Sequence, residues 1–123
     1  MFSTMNDLPI FVRPMMAEDV STVAAFNISM ALETESLRLA EEVILRGVGA
    51  LLIDPSKGFY RLAEHQRRVV GQLMITAEWS DWRCGYWWWI QSVYVPPDSR
   101  RLGVFRALYE SILHEARTRG DIC

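Results

Sequence analysis

The sequence predicts an α/β (α+β) fold: a mixed, mainly antiparallel central sheet flanked by helices, with elements in the order β-α-α-β-β-β-α. Three observations predict it. Apolar residues recur at helical spacing in three separate segments. Strand-like segments with turn residues between them run consecutively through the middle of the chain. Half of the 123 residues are hydrophobic and five are Trp, so there is enough apolar side chain for a core. This length fits one domain, residues 1–123, which buries roughly two-thirds of the surface of its unfolded chain.

Ile10–Met15 is short, β-leaning and broken by Pro14, which suits a first strand near a sheet edge. Glu18 and Asp19 stand where a helix N-terminus favours acidic side chains. Val20, Val23 and Ala24 then follow at i, i+3 and i+4, predicting a first helix to about Met30. Leu37–Ile53 reads as a second helix, with Ala40, Val43, Ile44, Val48 and Leu51 on one face. Asp54-Pro55-Ser56-Lys57-Gly58 is a turn.

Three strands follow. Phe59–Glu64 is the first, and His65-Gln66-Arg67-Arg68 is a hairpin turn. Val69–Trp79 alternates as a strand should. Ser80–Gly85 is a polar connection, and Tyr86–Val95 is long, aromatic and β-branched. Pro96-Pro97-Asp98 ends it. A last helix opens near Gly103 with Phe105, Leu108, Tyr109, Ile112 and Ala116 as its buried stripe, and Gly120 is its stop. Asp121-Ile122-Cys123 reads as the entry to a further strand, since a helix after a strand returns the chain for a parallel partner.

Composition excludes several classes. A net charge of −2 lacks the basic stripe of a nucleic-acid binder. Met1–Pro9 has neither the basic nor the apolar region of a signal peptide. The densest apolar run, Tyr86–Val95, is too short to cross a bilayer. Two cysteines, Cys84 and Cys123, fit free thiols in a reducing cytoplasm better than a disulfide framework. Cys84, in the predicted loop before the long strand, is a poor nucleophile candidate. His65, in a predicted turn, and His114, on an exposed helix face, have no neighbours at ligand spacing, so no metal is predicted.

The chemistry concentrates where the aromatic strand meets the last helix, in Val93-Tyr94-Val95-Pro96-Pro97-Asp98-Ser99-Arg100-Arg101-Leu102-Gly103-Val104-Phe105-Arg106. A helix N-terminus offers unpaired N–H groups and the positive end of the macrodipole, a natural site for phosphate oxygens. Gly103 lets the backbone approach those oxygens, and arginines add charge-assisted hydrogen bonds. The same pattern also describes an ordinary strand-loop-helix turn with solvated arginines. The P-loop pattern is absent. The dinucleotide fingerprint fails, because Gly47-x-Gly49 is followed by Leu52 inside a predicted helix.

The element order and this loop together resemble the GNAT superfamily of acyl-CoA-dependent N-acetyltransferases. Its hallmark is Gln or Arg, two variable residues, Gly, one variable residue and a small residue, at the start of the helix after the fourth strand. Arg100-Arg101-Leu102-Gly103-Val104-Phe105 matches the first two signature positions and departs at the third, where Phe105 replaces the small residue. The Arg13-Pro14 and Val69-Val70-Gly71 segments resemble their counterparts in the family.

The resemblance implies acetyl-CoA as co-substrate and a small-molecule amine that attacks the thioester directly, with neither nucleic acid nor membrane as partner. It implies that Val93, Tyr94 and Val95 pair with the pantetheine arm, one of their N–H groups polarising the acetyl carbonyl. It implies that Arg100, Arg101, Leu102, Gly103, Val104, Phe105 and Arg106 cradle the pyrophosphate. Compared with the family, the chain lacks the final strands, which leaves an exposed edge and an expected homodimer covering it.

Glu78, at the end of its strand, Gln91 on the adjacent one, and Glu33 and Glu35, in the predicted loop after the first helix, are the candidates for handling the amine proton. Glu35 reads more readily as a solvated carboxylate. Of the tryptophans, Trp79 and Trp89 are candidates for a cationic-substrate pocket, while Trp82, Trp87 and Trp88 read as core or interface anchors. The alternative function is a non-catalytic remnant that binds acyl-CoA or serves as a dimerising module.

Overall fold

The structure, a computed structural model, describes residues 9–123; the reading of Met1–Leu8 lies outside them. Its order is β1 (Phe11–Pro14), α1 (Val20–Glu35), α2 (Glu41–Ile53), β2 (Phe59–His65), β3 (Arg68–Ser80), β4 (Gly85–Tyr94) and α3 (Val104–Thr118). The four strands form one antiparallel sheet in sequence order, as a meander. Ile122 then forms a single parallel bridge to Tyr86, so the sheet is mixed where Asp121–Cys123 enters beside β4. No described helix is long and apolar enough to cross a membrane.

The helices divide between the two faces of the sheet. On one, α3 sets Val104, Leu108 and Ile112 against Ala63, Leu73 and Ile75. On the other, α1 and α2 bring Val23, Ala24 and Val48 against Tyr60 and Leu62. Strand alternation sends successive β2 and β3 side chains to opposite cores. Arg13 ties β1 to the start of α1: its guanidinium donates to both oxygens of buried Asp19, at 2.7 and 3.0 Å. Asp19 also accepts the Met16 N–H, and the Arg13 bond above all holds its carboxyl below the usual range.

Several boundaries differ from the sequence reading. The first helix continues five residues past Met30 because Ala31, Leu32 and Glu33 are good helix formers and no breaker intervenes. It stops at Ser36, whose left-handed φ of 52° lets the Ser36 and Leu37 amides close on Leu32 and Ala31. Glu33 and Glu35 are therefore on the last turn of a helix, not in a loop. The second helix starts at Glu41 rather than Leu37, and Val43 is exposed.

The β2–β3 turn is only Gln66-Arg67, both at positive φ, as a two-residue hairpin requires. His65 is consequently a buried strand residue, not part of the turn. On α3, Phe105 and Tyr109 leave the buried stripe and stack edge to face at the surface, because Val104 takes the inward position. The tryptophans are the largest departure. Trp79, Trp82, Trp87 and Trp89 are exposed and Trp88 is half-buried, since the first four belong to neither core cluster. Trp88 alone packs against the α3 core, edge to face with Phe59.

Candidate active site

Two depressions lie near the C-terminal end of β4. The first, about 280 Å³, lies at the start of α3 and is lined by Val95, Ser99, Arg100, Arg101, Gly103, Val104, Phe105 and Arg106. The loop reaching it makes a single 3-10 turn at Pro97–Ser99, then passes through Arg101 and Gly103 at φ of 73° and 79°. Gly103 suits that backbone; Arg101, with a Cβ, is strained there. No side chain caps the helix, and its first internal bond is Ala107 N–H to Gly103 O. The amides of the first turn are thus left for a ligand.

What seats this turn is on the neighbouring strand. A Cβ on Gly71 of β3 would come 2.5 Å from Val104 Cγ1, so only glycine lets α3 start this close to the sheet. Arg68 and Asp98, in an exposed ion pair at 3.3 Å, lean the hairpin on the same loop.

The second depression is a cleft of about 500 Å³ between α1, the start of α2 and β4. Asn27, Thr34, Glu35, Tyr60, Gln91 and Ser92 supply its polar lining, and Val93 closes the end nearest the first depression. Gln91 is the extra residue of a β-bulge, since Met74 pairs with Ser92 and Ile75 with Ile90. A bulge re-aims the side chain it carries; Gln91 Nε2 donates to Thr76 Oγ1 at 2.7 Å.

The predicted site residues separate into distinct roles. Arg100, Arg101, Gly103, Val104, Phe105 and Arg106 converge on the helix start, as does Val95, while Leu102 turns into the core. Of the arginines, Arg106 pairs with Glu110 and Arg100 with Glu33, and Arg101 makes no ion pair among the described residues. Tyr94 is buried, its ring against Phe26 and its hydroxyl donating to Glu33 at 3.2 Å. Burial first, and Glu33 second, raise its phenol pKa.

Glu33 is at the rim, bonded to Arg100 and Tyr94. The Arg100 bond holds its carboxyl below the usual range, which makes it a poor proton acceptor and a good tether for Arg100. Arg100 Nε also donates to Val95 O at 2.8 Å, so Glu33 and Arg100 join α1 to the end of β4. Glu78 lies outside the cleft lining and accepts from the Trp89 indole at 2.9 Å on the exposed ribbon. Neither Trp79 nor Trp89 lines the cleft. Glu35, read from sequence as a solvated carboxylate, does line it.

Sequence reasoning missed the buried polar residues under the cleft: Asn27, Tyr60 and Gln72. A signal existed, because Asn27 continues the Val20, Val23, Ala24 stripe at i+7 and so falls on the apolar face of its helix. Among the described residues no cluster of His, Cys, Asp and Glu could hold a metal ion.

The sequence profile of the Acetyltransferase (GNAT) family matches residues 23–122. No curated protein matches the chain. Among solved structures, a possible acetyltransferase from Clostridium difficile 630 is 42% identical with a TM-score of 0.88, over 93% of this chain and 75% of that one. The ribosomal-protein-alanine N-acetyltransferase of Brucella melitensis biovar Abortus 2308 shares the fold at 17% identity, TM-score 0.75, over 91% of this chain and 74% of its own. A predicted acetyltransferase with acetyl-CoA from Clostridium acetobutylicum does so at 18%, TM-score 0.69, over 94% and 79%. With a profile match over most of its length, an uncapped helix start below a strand end and a cleft beside it, this chain belongs to the GNAT acetyltransferase family, a family of acyltransferases.

Proposed function

We propose that the protein transfers an acetyl group from acetyl-CoA to a primary amine held in the cleft, by direct attack. The observation that carries this reading is adjacency: Val93 lines the cleft and Val95 lines the depression at the start of α3. Two strand residues span about 7 Å, so a donor gripped at the helix and an acceptor in the cleft meet along one short stretch of β4.

The residues fit the donor. The open amides of α3, Gly103 and Arg101, which makes no ion pair among the described residues, suit a diphosphate. Outside the bridge at Tyr86, the outer edge of β4 makes no strand pairing with the described chain, so its N–H and C=O groups can pair with an extended arm. When bound, acetyl-CoA supplies the activated acyl group as a thioester. A protonated amine cannot attack, so a base must take its proton. We assign that role to Glu35, the carboxylate in the cleft lining, while Glu33 keeps Arg100 against the strand end.

Calorimetric titration with acetyl-CoA and thiol release with a panel of amines test the reading. Binding is expected, with Arg101→Ala weakening it several-fold. Turnover is expected too, with Glu35→Gln lowering kcat. Binding without turnover of any amine would favour the non-catalytic acyl-CoA-binding alternative, and absence of binding would overturn both.

A further inference from the structure

Beneath the cleft floor, three polar side chains from three elements form one line. Gln72 of β3 is fully buried; Asn27 of α1 and Tyr60 of β2 are 6% and 7% exposed. Gln72 Nε2 donates to Asn27 Oδ1 at 3.1 Å, and Asn27 Nδ2 donates to Tyr60 Oη at 3.0 Å. The line has a direction. A phenol oxygen that accepts from Asn27 must send its own hydrogen elsewhere, and no acceptor among the described residues takes it. Tyr60 and Asn27 both line the cleft. Burial raises the phenol pKa, so the hydroxyl keeps its proton at neutral pH and remains a donor.

The lining also limits what that donor meets. Its one carboxylate is Glu35, and no Lys, Arg or His contributes. A carboxylate on the bound amine would therefore enter without a counter-charge and lose its hydration at high cost. An uncharged carbonyl oxygen needs only a hydrogen-bond donor.

Building on the acyl-acceptor reading of this cleft, we propose that Tyr60 is a specificity-determining residue: the cleft selects an amine that carries a neutral carbonyl oxygen, an amino amide, and Tyr60 Oη–H donates to that oxygen. Asn27 and Gln72 are positioning residues that act through Tyr60 by fixing which way its hydrogen points.

The test compares three probes of similar size, glycinamide, ethylamine and glycine, bound to the full chain and followed by NMR titration. The wild type is expected to bind glycinamide tightest. Tyr60→Phe should weaken glycinamide about five-fold, the worth of one net hydrogen bond, and change ethylamine by less than about two-fold. Asn27→Asp provides a second variant that keeps the phenol: an ionised carboxylate only accepts, so it draws the Tyr60 hydrogen inward and should give the same selective loss. Equal weakening of glycinamide and ethylamine in both variants, no weakening in either, or a preference for glycine would overturn the proposal.

Thiol release from acetyl-CoA with the same amines separates this idea from the proposed activity. Glycinamide selectivity that depends on Tyr60, without turnover of any amine, upholds the recognition and overturns the acyl transfer. Turnover at the same kcat/KM for glycinamide and ethylamine, in wild type and Tyr60→Phe alike, does the reverse.

Discussion

Gln72 and Leu73 are neighbours on β3, both fully buried, and they belong to opposite faces of the sheet. Leu73 joins an apolar cluster under α3. Gln72 joins the polar line under α1, with its Oε1 accepting no bond among the described residues. The α3 face is packed for position: it fixes where the helix starts, and so where its open amides stand. The α1 face beside it holds buried polar groups next to a cleft. One strand thus serves two requirements, and its alternation keeps them apart.

Substitutions on the two faces should therefore differ in what they damage. Leu73→Ala is expected to have the largest effect on stability, about 3 kcal/mol by urea denaturation, because it leaves a cavity in a sealed core. Gly71→Ala comes next. Its methyl must displace Val104 or the helix start, costing about 1–3 kcal/mol, and calorimetry should show weaker acetyl-CoA binding than stability alone explains. A Gly71→Ala protein with unchanged affinity would break the link between that face and the site.

Gln72→Leu should cost about 1 kcal/mol, less than Leu73→Ala, since it removes an unpaired oxygen along with one good bond. A loss as large as that of Leu73→Ala would show that the polar line is structural in the same sense as the core. The smallest effect concerns Glu33 at the exposed rim. Its lowered pKa means that the tie to Arg100 stabilises fully above the ordinary glutamate value and is lost as pH falls through the lowered one. An NMR titration should place Glu33 below free glutamate, and Arg100→Gln should bring it back up.

The sequence was most informative where one physical rule acted alone. Alternation and turn residues located the strands to within a few residues, and the Pro-rich stop with Gly103 marked the helix start. It was least informative where an outcome depended on what covers what. The Trp residues of the β3–β4 ribbon have strong strand character and high hydrophobicity, yet only Trp88 packs against a core, and no local pattern encodes which of them is covered. Glu33 and Glu35 are equally acidic and two residues apart. Two residues along a helix are about 200° apart around its axis, which sends one to Arg100 and the other to the cleft, and the split exists only because α1 runs through both. The bond between Asn27 and Gln72 joins residues 45 apart in sequence, and no local pattern encodes it.

The lone rung between Tyr86 and Ile122 has a mechanical consequence. Gly85 sits directly before it, and a Cβ there would come 2.9 Å from Asp121 O. The incoming chain is therefore pinned to β4 at one end by two short backbone bonds, at 2.7 and 2.8 Å. Such a fastening fixes the incoming chain at one point of β4 and leaves the rest of that edge, as far as Tyr94, without a strand partner among the described residues. Even a methyl at position 85 would press on that single point of attachment, far from every residue that lines the cleft.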